Sequence, residues 1–161
     1  EDALSVREAD LSMLRRLGAR DEYILVAQGN LASSYADLGR FEDCLRMRRE
    51  IYSGKLRLFG EQHKRTALEA INYANILIRV GHFEEAKTLL RSIVPVARRS
   101  LGDSHETVLK MRGIYANTLF ADRGATLDEL REAVTTLEDV ETIARRVLGG
   151  LHPTVRSIEK A

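Results

Sequence analysis

Leu58 to Ser100 reads LFGEQHKRTALEAINYANILIRVGHFEEAKTLLRSIVPVARRS, and this stretch decides the fold. It predicts two helices of roughly five turns each, parted by a short break at Gly81-His82. The segments before and after it repeat the pattern. A Leu-Gly or Phe-Gly step recurs at Gly18, Gly60, Gly102 and Gly149, spaced 42, 42 and 47. A second glycine series, Gly39, Gly81 and Gly124, is spaced 42 and 43, and Ala32, Ala74 and Ala116 keep 42 throughout. Histidines follow three residues after the last three Leu/Phe-Gly steps, at His63, His105 and His152. Independent series in one phase mean stacked supersecondary units.

Working outward, the first helices of the units (A) are expected at about 22–38, 65–80 and 106–121. Their partners (B) are expected at 41–58, 83–100 and 127–148. Residues 2–17 form a lone B-type helix, so the chain opens halfway through a unit. The absence of an initiator Met suggests a fragment or a processed product. The division is a half repeat at 1–18, repeats at 19–60, 61–102 and 103–149, and a partial repeat at 150–161, all in one domain.

The B helices show why units must stack. In the second, apolar residues fall at Phe83, Ala86, Leu90, Ile93, Ala97 and Leu101. The third matches step for step with Leu130, Ala133, Leu137, Val140, Ala144 and Leu148. Such a stripe needs a neighbour to bury it. At about 1.5–3 kcal/mol per buried Leu or Ile, the stripes outweigh any single surface ion pair. The first B helix breaks the phase with Arg48 and Lys55, which predicts a looser first unit. Pro95 predicts a bend or break near Val94. Thr126 and Glu129 form a capping-box pattern, so the insertion in the third unit should add one turn to the start of its B helix.

Composition narrows the class. Lys+Arg (25) and Asp+Glu (24) nearly cancel, which leaves no bulk field to draw in nucleic acid. No apolar run is long enough to span a bilayer, and no basic start precedes an apolar core, so neither membrane insertion nor a signal peptide is expected. A lone Cys44 fits a reducing compartment, with the cytoplasm, or an organelle interior reached after processing, as default.

The residues resemble tetratricopeptide repeats of the kinesin light chain type. That family's L-G-x-x-H-P-x-T step is matched by Leu148-Gly149…His152-Pro153-Thr154. Its N-x-L-A-x-x-Y stretch is matched by Asn30-Leu31-Ala32…Tyr35, and its G-x-[FY]-x-E-A turn by Gly81…Phe83-Glu84-Glu85-Ala86. The sequence departs from the family at Leu77 and Leu119, where Tyr is usual. The resemblance implies an all-α, right-handed superhelical solenoid of antiparallel helix pairs, about three repeats with half repeats at both ends. It also implies A helices lining a concave groove that takes peptides or partner proteins, and occurrence as the sensor region of larger proteins. Armadillo arrays have a similar period but need a third helix per unit. Pentatricopeptide RNA readers have a shorter period and a basic groove.

No catalytic constellation, metal site or cofactor motif is present, and the chain reads as a non-enzyme. The phased histidines sit one unit apart, about 8–10 Å or more, whereas zinc ligands lie within about 2.1 Å of one ion. They read instead as caps of the A helices. Cys44 occupies the small slot of Ala86 and Ala133 and reads as a buried structural thiol. Acidic starts and Arg-Arg ends of the B helices satisfy the helix dipole.

The candidate peptide-binding residues are Asn30, Ser33, Asn72, Asn75, Arg79, Lys110 and Asn117. Side-chain amides can donate to and accept from an extended backbone, and Arg79 or Lys110 could select an acidic residue. The leading function is a protein-interaction scaffold binding an extended peptide in the concave groove. The alternative is a structural subunit, or a fragment of a longer solenoid, whose terminal half repeats self-associate or stack on other repeats.

Overall fold

A computed structural model describes residues 2–149. They form helices and no strand: α1 (Asp2–Arg16), α2 (Asp21–Asp37), α3 (Phe41–Phe59), α4 (Lys64–Arg79), α5 (Phe83–Leu101), α6 (Glu106–Ala121) and α7 (Leu127–Leu148). Connections of three to five residues make neighbours antiparallel, and each helix packs on the next. The result is an all-α solenoid. The partial repeat at 150–161, with His152, Pro153 and Thr154, lies outside the described residues.

Local chemistry sets the helix ends. At Gly39 and Gly81, φ is +72° and +81°. The following N–H groups reach back to Tyr35 O and Leu77 O at 2.8 Å each, which closes both A helices with a Schellman turn. At the opposite ends, His63 Nδ1 accepts from Arg65 N–H at 3.0 Å and His105 Nδ1 from Thr107 N–H at 3.1 Å. Both histidines are therefore caps. The capping box at Thr126 and Glu129 forms, and α7 has 22 residues against 19 in α3 and α5, one added turn.

The core sits where small residues let helices approach. Ala32, Ala74 and Ala116 on the A helices are fully buried, as are Ala86 and Ala133 on the B helices, with Cys44 in the matching slot. A size exchange runs between pairs: Leu25 on α2 fills the space over Gly54 on α3, while one unit later Ala67 packs with Val96. Two three-helix clamps tie units together. Arg49 Nε donates to Tyr73 Oη at 2.9 Å, and that phenol donates to Glu85. One unit on, Arg91 Nε donates to Tyr115 Oη at 2.7 Å, and the phenol donates to Glu132 at 2.9 Å.

Two expectations need correction. The helix α5 runs unbroken through Pro95, because Pro95 lies on the solvent side, where water can satisfy the freed carbonyl of Arg91. The first pair is not loosely packed: Leu25, Ala32, Cys44, Leu45 and Ile51 join Tyr73, Ile76 and Leu77 in one buried cluster. Arg48 and Lys55 instead converge on Glu69 of α4, which is 1% exposed, at 3.1 and 2.8 Å.

Candidate interaction groove

One register of α2, α4 and α6 faces outward, exposed at every position except the half-buried Ile114 and Asn117. Val26, Asn30, Ser33 and Asp37 on α2 match Leu68, Asn72, Asn75 and Arg79 on α4, and Lys110, Ile114, Asn117 and Ala121 on α6. Their spacing of three and four residues puts each set on one helix face.

Between α2 and α4 lies a cleft of about 390 Å³, lined by Ala36, Cys44, Arg48, Asn72, Asn75, Ile76 and Arg79. It brings together three of the seven sequence-predicted residues: Asn72, Asn75 and Arg79. The Asn75 amide is exposed and makes no hydrogen bond among the described residues. Asn72 donates to Glu69 at 3.4 Å. The Arg79 guanidinium sits 4.4 Å from the centre of the Phe41 ring, which holds it at the rim.

The other four are placed differently. Ser33 is linked to the cleft through Arg48, whose Nη2 donates to Ser33 Oγ at 3.0 Å. Asn30 is exposed on α2, with its main-chain carbonyl accepting from Arg7 at 3.1 Å. Lys110 pairs with Glu106 along its own helix at 2.8 Å. Asn117 is half-buried, and its Oδ1 is enclosed without a donor.

Sequence reasoning missed Arg48 and Glu69. Arg48 looked like a flaw in a B-helix stripe, whereas it forms the cleft wall because Glu69 anchors it from α4. The signal was available as a matched exchange: Arg48, Lys55 and Glu69 stand where the next unit has Leu90, Ala97 and Met111.

The groove offers amide and guanidinium donors over an apolar floor of Ala36, Cys44 and Ile76. Burial pushes the Cys44 thiol above its ordinary range, and the nearby Arg48 charge offsets this only in part, so the sulfur belongs to the floor. No set of three or more His, Cys, Asp or Glu among the described residues is grouped to hold a metal ion, and no described helix is long and apolar enough to cross a membrane.

Comparison with known proteins agrees with this geometry. Residues 23–99 match the tetratricopeptide repeat family. Two structures of a candidate kinesin light chain from Podosopora anserina, built of nearly identical TPR-like repeats, superpose with TM-scores of 0.81 and 0.78 at 19% identity. Each alignment covers 98% of this chain and 73% of that one. BtubC (BKLC) from P. vanneervenii aligns at a TM-score of 0.78 and 15% identity over 99% of this chain and 65% of its own. No curated protein sequence matches the chain. The fold is thus a solenoid like that of tetratricopeptide-repeat proteins, and residues 23–99 match that family's sequence pattern.

Proposed function

We propose that the chain is a non-enzymatic interaction scaffold that holds an extended segment of a protein partner along the face of α2, α4 and α6. One observation carries this reading: Asn72, Asn75 and Arg79 meet at a single cleft, with Asn75 exposed to it. Each such amide can pair with both polar groups of a passing peptide unit. Arg79 and Lys110 then favour an acidic residue in the segment, and the cytoplasm suits a single buried thiol. A peptide-array screen with wild type and with Asn72→Ala plus Asn75→Ala tests the reading. Loss of signal with helical content intact supports it; unchanged binding removes it.

A second reading, stacking on further repeats or another subunit, is favoured by apolar surface at both ends. Phe120, Leu127, Leu130 and Val134 line an open cleft of about 350 Å³, and Val6 and Met13 on α1 and Leu17 just after it are exposed. Light scattering across concentration separates the two, since only stacking predicts a mass that rises with concentration.

A further inference from the structure

The last turns of α1, α3, α5 and α7 carry one arginine in a shared phase. Arg15, Arg57, Arg99 and Arg146 each stand three residues before a Leu/Phe-Gly glycine, at the same spacings of 42, 42 and 47. Neighbouring helices are antiparallel, so these four point the same way. Their arginines therefore lie along one edge of the solenoid, on the helices that do not carry the groove residues. All four are exposed.

Pairing sets this column apart. In the same turns, Arg98 holds Asp103 through two bonds of 2.6 and 3.0 Å, and Arg145 pairs with Glu141 at 2.7 Å. Arg57, Arg99 and Arg146 meet no carboxylate among the described residues, and Arg15 reaches only Glu50, at 3.9 Å. The helix dipole favours a cation in each last turn, but any position in that turn serves it. It asks neither for one phase through four helices nor for a cation without a partner. One turn earlier stand Ser53, Pro95 and Thr142, all exposed and uncharged. Arg57 and Ser53 line an open cleft of about 480 Å³, and Arg99 and Pro95 one of about 310 Å³.

We propose that this edge is a second docking surface, which takes an extended acidic protein segment by its carboxylates, one to each arginine. A planar guanidinium matches a carboxylate through two parallel bonds, and one without a partner gives nothing up to form them. The helices α1, α3, α5 and α7 do not pack on one another, so the rungs are further apart than the about 8–10 Å of packed helices. An extended chain advancing about 3.3 Å per residue meets a rung every three or more residues. The segment therefore carries acids at intervals rather than in a solid block. A single-stranded nucleic acid would want rings for its bases to stack on, and Ser53, Pro95 and Thr142 supply none. A flat anionic membrane would press on the exposed Glu50, Asp103 and Asp139 as well as on the arginines, whereas a narrow chain passes between them.

Fluorescence anisotropy tests this with a labelled peptide carrying glutamate at about every fourth residue of a glycine-serine chain. Three proteins are compared: the parent, Arg57→Gln with Arg99→Gln and Arg146→Gln, and a charge-matched control. The control, Arg46→Gln with Arg123→Gln and Arg131→Gln, removes three exposed arginines from the opposite edge. The parent should bind at low salt and weaken as salt is added. Affinity should fall at least about tenfold in the column variant and less than about twofold in the control. The three single variants, each with a partial loss, decide the matter if the column variant does not fold. No binding by the parent, or equal loss in both triple variants, overturns the proposal. So does tighter binding of oligothymidylate or of phosphatidylserine vesicles than of the peptide. A loss in Asn72→Ala plus Asn75→Ala would place the peptide in the groove and also overturn it.

Discussion

The ammonium of Lys87 lies 2.8 Å from the carboxylate of Asp122, and the two residues are 35 positions apart. Lys87 is 2% exposed and also meets Glu84 and, at 3.1 Å, Glu129. Burial acts to lower its pKa, but the three carboxylates outweigh burial and keep it charged. Asp122 and Glu129 flank the insertion in the third unit. One buried cation thus ties the added segment to α5. Lys87→Met keeps most of the volume and strands the acids; it should lower stability by about 1–3 kcal/mol in urea titrations. An unchanged midpoint would show that the insertion does not depend on this anchor.

The same cluster predicts acid sensitivity. The Thr126 N–H and then Lys87 hold Glu129 below its ordinary 4.5, at about 2. A carboxylate with a depressed folded pKa contributes stability that is complete above its unfolded value. That contribution is lost as pH falls from about 4.5 toward 2. Melting curves of wild type and Glu129→Gln should therefore differ at pH 6 and converge across this window. A constant offset down to pH 2.5 would contradict the assignment.

Gly54 and Leu25 should be coupled. A Cβ on Gly54 would lie 2.6 Å from Leu25 Cδ2, so Gly54→Val overpacks the seam by about 1–3 kcal/mol. Leu25→Ala alone empties it at about 2–5 kcal/mol. Together they recreate the arrangement of Ala67 and Val96, and the double variant should lose clearly less than the sum. Strict additivity in denaturant melts would refute the size exchange.

Removing Glu69 alone leaves two cations facing each other in the seam. Glu69→Met should cost about 3 kcal/mol, the low end for a broken buried pair because Arg48 and Lys55 keep some solvent access. Replacing all three by Met, Leu and Ala should restore or exceed wild-type stability. The thermal midpoints of the single and triple variants check this directly.

Much of this architecture was legible from spacing. Helix ends fell within a residue or two of expectation because Gly39, Gly81 and the histidine caps mark them chemically. The buried slots of Ala74, Ala116 and Ala133 followed from period alone. The groove was legible in part, since Asn72, Asn75 and Arg79 share a face of one helix. Arg48 was not, because its meaning depends on Glu69 in a different helix. An unmatched charge in an apolar stripe reads as a defect until its partner is placed. The break expected near Val94 does not occur for a related reason: the sequence names Pro95 but not which side of the helix meets water.

The clamps Arg49–Tyr73–Glu85 and Arg91–Tyr115–Glu132 bear on how such a chain grows. In each, the phenol and the acid belong to one helix pair and the guanidinium to the pair before. Copying a pair within the gene would bring the tyrosine, the glutamate and a fresh arginine together. The duplicate would find its fastener waiting upstream and offer the next one downstream, so lengthening needs no newly invented joint.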